Sequence, residues 1–320
     1  MKDSVKEPAA KYPVNHDEDG QRLDNYLFRR LKGVPKGYVY KIIRDGQVRL
    51  NGGRAKPTTR ISAGDIVRVP PLRRGHEREL PSDLGEKLAH PDILYEDNDL
   101  LLVAKPPGLA AHSGTGQRVG LIELLRLKRS GYLELAHRLD KETSGVIALA
   151  KNSVTLRSLA EGFRSSKSLG HITKTYLALV VGRWRGGARD IKQSLETVRA
   201  PGASKRSVAS PSGRQAFSVF APIERYSDFT LMQVELKTGR LHQVRAHAQT
   251  IGYPVAGDRV YGDRGTNRAL RALGLKRQFL HASSLSLAHP RSGEILKVEA
   301  PLPDDLEGIL SRLRHEDSHA

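Results

Sequence analysis

The sequence predicts an α+β protein in two parts: a small, basic α/β module, followed by a larger domain whose mixed, largely antiparallel sheet is flanked by helices and loops. Helical and strand patterns interleave without the regular strand–helix–strand rhythm of a doubly wound sheet. Alternating apolar residues in the second half are typical of antiparallel strands. Positive charge is concentrated in residues 20–80, which hold fifteen Lys and Arg against five Asp and Glu.

Length and composition restrict the class of protein. The 320 residues are enough for two domains, and the formal net charge of +18 with a sequence pI near 10.1 predicts a polyanionic partner. Nucleic acid is favoured over an anionic membrane surface, because no apolar run approaches the ~20 residues of a membrane span and no signal peptide opens the chain. The absence of cysteine excludes disulfides, cysteine-ligated zinc and a cysteine nucleophile. We therefore expect a cytoplasmic protein that binds nucleic acid.

The first part of the chain is expected to be a flexible polar segment, residues 1–19, followed by the basic module at residues 20–70. Apolar residues recur at helical spacing over residues 23–31 and again over residues 39–43. Residues 48–52 read as a strand that enters an Asn-Gly turn. The basic side chains on these helices are either phosphate ligands or a solubilising surface. The candidate ligands are Arg22, Arg29, Arg30, Lys36, Lys41 and Arg44.

A linker, residues 71–90, separates the module from the second domain, residues 91–310, and a flexible tail is expected at residues 311–320. Residues 183–215 are basic and are expected to be irregular. Strands are predicted at residues 93–95, 100–104, 174–181, 217–220 and 231–236, and helices at residues 121–127 and 156–163.

The second domain contains a polar stretch between two apolar runs, from Ala136 to Gly145: Ala-His-Arg-Leu-Asp-Lys-Glu-Thr-Ser-Gly. The flanking residues cluster like buried strands, which would hold one carboxylate, Asp140, at the edge of a rigid sheet. The alternative is that Asp140 only caps a turn, as Thr143 and Ser144 would. The local pattern alone leaves both interpretations open.

Two further stretches are rich in groups that bind or react. Lys174-x-Tyr176 places one phenol on a predicted strand, and residues 238–247 contain two Arg, two His and one Gln. A pair of His residues suggests a metal ion. However, this run has no Asp or Glu, and His242 and His247 lie five residues apart, so no metal site is predicted.

The basic module resembles the S4 RNA-binding module. The similar residues are Arg22-Leu23-Asp24, the two short helices, Gly46-x-Val48-x-x-Asn51-Gly52 and Gly64-Asp65, over roughly residues 20–70. The resemblance implies that the partner is structured RNA, and it turns the six candidate phosphate ligands into candidate RNA-binding residues. It does not say what is done to the RNA.

The second domain resembles the pseudouridine synthases that carry His-Arg-Leu-Asp-x-x-Thr-Ser-Gly, a motif present without a gap at residues 137–145. Lys174-x-Tyr176 and Gly239-Arg-x-His-Gln-Val-Arg-x-His247 are similar to the family's second and third motifs. The similarity covers residues 91–305 and is strongest to members that act on large-subunit (23S) rRNA. It implies the isomerisation of specific uridines in 23S ribosomal RNA to pseudouridine. No cofactor is expected, because the reaction needs neither a redox change nor an energy source.

The resemblance also implies roles for individual residues. Asp140 would be the catalytic nucleophile or acid–base carboxylate on a flipped-out uridine, and Arg245 would favour its charged form. Tyr176 would stack on the uracil and could help to remove the C5 proton, while Val244 would pack beneath the base. Whether Asp140 attacks C1′ or C6, or removes a C2′ proton, stays open. The other residues expected to bind the substrate are Arg138, His137, Arg240 and His242.

Arg138 has more than one possible role. In similar enzymes this Arg enters the RNA to occupy the space left by the flipped base, whereas a salt bridge to Glu142 or a phosphate contact would be the alternatives. Departures from the family pattern are mild: Leu241 stands where Thr is common and Val244 where Ile is common. Residues 183–212 match poorly, which leaves target choice open.

The expected partner is 23S rRNA, free or in an assembly precursor, with no membrane partner and a monomeric protein. A non-catalytic S4-type RNA-binding or ribosome-assembly protein is the main alternative. It would explain the charge but not the motifs at residues 136–145 and 239–247. An S4-linked RNA methyltransferase would need a glycine-rich cofactor loop, which residues 105–108, Lys-Pro-Pro-Gly, do not provide.

Overall fold

The structure is a computed structural model that describes residues 5–31, 33–74, 91–113, 119–129, 131–164, 172–199 and 205–318. Within these ranges the helices are α1 (Leu23–Arg30), α2 (Lys36–Arg44), α3 (Leu121–Lys128), α4 (Ser153–Arg164), α5 (Gln243–Thr250), α6 (Arg264–Ala272) and α7 (Asp304–Ser318). None of these helices is long and apolar enough to span a bilayer. The predicted α+β class is confirmed.

The first part of the chain has five strands: β1 (Val5–Glu7), β2 (Ala10–Pro13), β3 (Arg49–Leu50), β4 (Ile66–Val69) and β5 (Leu72–Arg74). The order β2-β4-β3 forms an antiparallel sheet, and β1 pairs with β5. Helices α1 and α2 bury their apolar faces against this sheet, because Leu23, Leu27 and Ile42 are fully enclosed. The module therefore has a hydrophobic core of its own.

The expectation of a flexible segment over residues 1–19 is wrong for residues 10–19. Strand β2 pairs with β4 along its whole length, and Val14 is buried in the same core. The nearly buried Glu18 accepts hydrogen bonds from Arg29 and Arg30 at 2.5 and 2.9 Å. Of the predicted linker, residues 72–74 belong to β5, and residues 75–90 lie outside the described part of the chain.

The second part is organised around one large mixed sheet. Its strands are β6 (Ile93–Glu96), β7 (Leu100–Lys105), β8 (Glu134–Leu135), β9 (Ser144–Ala150), β10 (Thr173–Val181), β11 (Arg189–Lys192), β14 (Phe217–Arg225), β15 (Phe229–Leu236), β16 (Leu280–Ala288) and β17 (Ile295–Glu299). The main order is β11-β14-β15-β10-β16-β9-β7-β6, with β8 beside β9 and β17 beside β16. All described pairs are antiparallel except β9–β16, which joins Ser144 to His281 and Gly145 to Ala282. The predicted largely antiparallel sheet is confirmed.

Two regions of the second part are more regular than the sequence suggested. Residues 183–215 contain β11, which extends the sheet beside β14, and a separate hairpin of β12 (Leu195–Val198) and β13 (Arg206–Ala209). The predicted flexible tail is wrong for residues 311–318, which continue α7. Leu313 of this helix is buried, and Arg314 forms an ion pair with Glu224 at 2.9 Å. These packing partners are distant in sequence, so local composition does not reveal them.

Candidate active site

The loop that carries Asp140 lies between β8 and β9 and is tied to the end of β7 and to the segment before β16. The carbonyl of Lys141 accepts hydrogen bonds from the Lys105 ammonium at 3.1 Å and the Gly108 amide at 2.9 Å. The hydroxyl of Thr143 accepts one from the Gln278 side chain at 2.8 Å. Because both sides of the loop are held, the Asp140 carboxylate is fixed at the edge of the sheet with a side chain only 20% exposed.

Gly145 fixes the end of this loop. Its φ is +114°, and a Cβ at this position would lie 2.1 Å from the backbone oxygen of Ala282. Only a residue without a side chain permits this approach of β9 to β16. The glycine of the motif therefore serves the parallel pairing that supports the loop.

Arg245 connects Asp140 to a second carboxylate. From the first turns of α5, its Nη1 donates to Asp140 Oδ2 at 2.9 Å, while Nε and Nη2 donate to the two oxygens of Asp258 at 2.7 and 2.9 Å. Burial opposes the charge of Arg245. The hydrogen bonds and charge of Asp258, with those of Asp140, outweigh it and raise the pKa of the guanidinium. The arrangement holds a permanent positive charge against Asp140.

His242 stands at the start of α5 in the left-handed region, with φ of +51°. Its Nδ1 lies 3.2 Å from the hydroxyl oxygen of Tyr261, and its Nε2 lies 3.8 Å from Asp140 Oδ2. That hydroxyl donates its one proton to the Ser207 carbonyl and accepts from the Ser207 amide. Nδ1 is then the donor to Tyr261, which leaves a lone pair on Nε2 beside Asp140. Burial, opposed by the charge of Asp140, lowers the pKa of His242 and favours this neutral ring.

Tyr176 and Val244 form walls of the pocket at Asp140. Tyr176 is 8% exposed, and burial followed by the negative charge of Asp140 raises the pKa of its phenol. Val244 is nearly buried on the first turn of α5. The pocket is lined by Arg138, Leu139, Asp140, Thr143, Tyr176, Leu236, Arg240, His242, Gln243, Val244, Arg245 and Leu280. The structure thus brings seven of the eight predicted catalytic and substrate-binding residues together.

His137 is the exception, because its ring turns into the protein. Its Nε2 accepts a hydrogen bond from the Ala148 amide at 3.1 Å, and the ring packs against Phe163 with centroids 4.5 Å apart. Burial, with the charge of Lys174, lowers the pKa of His137 to about 3. The predicted substrate contact is therefore replaced by a structural role under the loop. Arg138 is exposed, and among the described residues it has no salt bridge to Glu142.

The predicted RNA-binding residues of the first module fall into two groups. Arg22 donates twice to the buried Asp24, and Arg29, only 11% exposed, contacts Glu18 and lies 4.6 Å from the Tyr132 ring centroid. Arg30 also donates to Glu18. The side chains of Lys41 and Arg44 are exposed on α2, whereas the side chain of Lys36 lies outside the described part. Arg22 is exposed but held by Asp24, whereas Lys41 and Arg44 are exposed and form no ion pair with a described carboxylate, which suits phosphate contact.

Several supporting residues were not predicted. Asp258 is fully buried and also accepts from the Val260 and Tyr261 amides at 2.8 and 3.1 Å. Gln243 makes four hydrogen bonds: its Oε1 accepts from the Thr238 hydroxyl and the Arg240 amide, and its Nε2 donates to the Phe217 carbonyl and the Ser218 hydroxyl. The Gly-Asp and Tyr-Gly pairs around residue 258 were a signal of a structured turn, but nothing local identified the partner of its carboxylate.

One acidic cluster lies away from this pocket. Asp97, Asp99 and His289 bring possible ligand atoms within 4.8 Å of one another. Arg291 donates to both oxygens of Asp99, and His289 Nε2 lies 2.7 Å from Asp97 Oδ2. These contacts already satisfy the carboxylates, so the cluster is a structural network rather than support for a metal site.

Comparisons with known proteins show the family to which the chain is similar. The family model described as RNA pseudouridylate synthase matches residues 99–250, and the S4 domain model matches residues 21–67. Ribosomal large subunit pseudouridine synthase C of Pasteurella multocida (strain Pm70) is 42% identical over 312 residues, 95% of this chain and 94% of that protein. The protein of the same name from Escherichia coli (strain K12) is 41% identical over 309 residues, 94% of this chain and 96% of its own. The solved structure of human RNA pseudouridylate synthase domain containing 4 is 26% identical, with a TM-score of 0.56, and covers 70% of this chain and 93% of its own.

Proposed function

Because this chain belongs to the RNA pseudouridylate synthase family and is therefore an isomerase, we propose that it converts specific uridines of large-subunit (23S) rRNA to pseudouridine at Asp140. The observation that carries the proposal is the Arg245 guanidinium bridging Asp140 and the buried Asp258 beside the wall formed by Tyr176. A fixed carboxylate beside a flat aromatic surface is what the reaction needs.

The reaction breaks the bond between N1 and C1′, turns the uracil, joins C5 to C1′ and moves the C5 proton. Asp140 supplies the carboxylate that adds to carbon or accepts a proton and later leaves. The uridine must first leave its stack, at a cost of a few kcal/mol. The exposed Arg138 guanidinium at the pocket mouth suits the space that the base vacates, and the raised pKa of Tyr176 favours stacking over proton removal.

The N-terminal S4 module is proposed to hold structured rRNA, free or in an assembly precursor, through the exposed cations of α2. The +18 net charge suits this partner. A monomer that acts in the cytoplasm is the arrangement we propose. In this proposal the S4 module binds the phosphates of the RNA and the pocket at Asp140 modifies the uridine, so one chain carries the motifs of both domains.

The test replaces Asp140 by Asn and maps pseudouridine in rRNA from cells that lack the protein and are supplied with each variant. The wild-type protein should restore modification at defined uridines, and Asp140→Asn should bind the RNA but lower the rate by about 10⁴-fold or more, as loss of a nucleophile does. Asp190→Asn, which changes an exposed carboxylate on β11, is the matched control. Substantial modification by Asp140→Asn would show that Asp140 is not the catalytic carboxylate. Unchanged rRNA in cells without the protein would favour the non-catalytic RNA-binding alternative.

A further inference from the structure

Lys174 lies beside Tyr176 on the face of β10 that forms the pocket wall. Burial alternates along this strand, so that the side chains at positions 174, 176 and 178 point to the same side. A strand rises about 3.3 Å per residue, which places Lys174 roughly 7 Å along the strand from Tyr176. Lys174 is only 8% exposed, although its side chain ends in an ammonium group.

The ammonium of Lys174 is poorly satisfied. With the described residues it makes one long hydrogen bond, to the Thr238 carbonyl at 3.4 Å, and it faces the Phe163 ring, 5.7 Å from its centroid. Among the residues that the structure describes, no carboxylate lies within ion-pair distance of it. An ammonium can donate three hydrogen bonds, and a buried charge without partners is unfavourable. The described part of the protein therefore leaves donors of this ammonium available for a further acceptor.

Arg240 follows the backbone that the Lys174 ammonium contacts: a Cβ on Gly239 would lie 3.5 Å from Lys174 Nζ, and Arg240 itself lines the pocket. Its Nε donates to the Gln215 carbonyl at 3.0 Å, and it too has no ion pair with a described carboxylate. Burial and then the charge of Arg240 lower the pKa of Lys174 to about 8. Burial and then the charge of Arg214 lower the pKa of Arg240. His137, from the loop before β9, is neutral and offers Lys174 no compensating charge. Cations that repel one another next to a pocket indicate a site for an anion.

We propose that Lys174 and Arg240 bind one phosphate diester of the RNA backbone next to the uridine held at Asp140. The inference rests on the proposed function, because it supplies the polyanion and the position of the base. Arg240 lines the pocket, and Lys174 lies two residues before Tyr176 on the same face of β10. A phosphate there would accept hydrogen bonds from both cations and remove their repulsion. Contact through phosphate fixes the register of the nucleotide without reading its base.

The experiment measures binding of a large-subunit rRNA transcript by the full-length protein, at several salt concentrations and at pH values from 7 to 9. Lys174→Met should weaken binding about tenfold, the effect of losing one hydrogen bond to a charged group, and lower the salt slope by about 0.7. Lys174→Arg should keep the slope. Lys297→Met removes an exposed lysine on β17 that pairs with Glu299 and should change neither.

The pH series gives a second readout. Only the charged Lys174 can donate to a phosphate, so wild-type affinity should fall by up to about tenfold as pH rises through 8. Lys174→Arg stays charged and should lack this dependence, and Lys174→Met should lack it as well. Inorganic phosphate added at constant ionic strength should compete with RNA in wild type more than in Lys174→Met if the site accepts any phosphate. Equal weak competition in both proteins would restrict the site to the RNA backbone.

A folded Lys174→Met protein with wild-type slope and wild-type pH dependence would overturn the proposal. If the wild-type protein makes pseudouridine but the slope is unchanged, only the phosphate site is wrong. If the slope changes as expected and no pseudouridine forms, the proposed function is wrong instead.

Discussion

Asp258 holds Arg245 in the position from which it contacts Asp140, and replacing it tests that geometry. The Asp258 side chain is fully buried and accepts hydrogen bonds from Nε and Nη2 of Arg245 and from two backbone amides. Asp258→Asn keeps the shape but places an amide N–H where the carboxylate accepted a hydrogen bond. One donor of Arg245 then faces another donor, and the buried guanidinium loses its full counter-charge.

Asp258→Asn should lower the free energy of unfolding strongly, although it changes only one side-chain atom. Removing one partner of a buried ion pair costs about 3–5 kcal/mol, and Asn keeps part of the hydrogen bonding, so we expect about 3 kcal/mol. Urea unfolding followed by the fluorescence of Trp184, which is the only tryptophan and is buried, measures this free energy. A shift of Arg245 by about 1 Å should lower kcat on the order of 10²-fold, with little change in KM.

Asp263→Asn is the matched control for this experiment. Asp263 is exposed and accepts a hydrogen bond from the Thr266 amide at the start of α6. Its replacement should cost less than about 1 kcal/mol and leave kcat unchanged. If Asp258→Asn were as stable and as active as Asp263→Asn, the bridge through Arg245 would not position Asp140, and this account of the site would be wrong.

Three further perturbations separate the roles proposed for other residues. Tyr176→Phe should keep kcat within about fivefold in an assay of pseudouridine formation, because a phenol with a raised pKa stays protonated and acts by stacking; an inactive Phe variant would show that the hydroxyl takes part. Gly145→Ala should lower the free energy of unfolding by about 3 kcal/mol or more, because the added Cβ would meet the Ala282 carbonyl. Urea unfolding measures this loss. A loss below about 1 kcal/mol would mean that β9 and β16 can separate to admit the methyl group. Reversing the charges of Lys41 and Arg44 should weaken rRNA binding and reduce its salt slope by about 1.4, and an unchanged slope in filter binding would exclude α2 as a phosphate contact.

The motifs at residues 137–145 and 239–247 were the most predictable features of the molecule, because each is recognised from consecutive residues. Strand β9 follows the polar stretch as expected, and the turn at Thr143 forms through its amide and the Asp140 carbonyl. The turn-forming interpretation and the reactive one are compatible, because the turn uses the backbone carbonyl of Asp140 and its side chain lines the pocket. Helix α5 was not among the predicted helices, although the third motif identified its residues, and its first turn places Val244 and Arg245 in the pocket.

Features that depend on distant partners were not predictable. Nothing near Asp258 in the sequence identifies Arg245 as its partner, and nothing near His137 shows that its ring packs on Phe163. Exposure of Arg29 was expected because it is charged, yet its contacts with Glu18 and Tyr132 enclose it. In each case tertiary contacts decide where the side chain points, and hydrophobic periodicity carries no information about charged pairs.

The pairing of β9 with β16 also determines when the active site can form. The loop of Asp140 is held by Gln278 and Ala282, residues that follow it by more than a hundred positions, whereas the basic N-terminal part encloses its core within residues 14–72. Contacts of such long range close late, and chains fold from the amino end as they are synthesised. A growing chain should therefore acquire its basic, folded module well before its catalytic geometry. The active site should therefore form only after residues 278–282 have been synthesised.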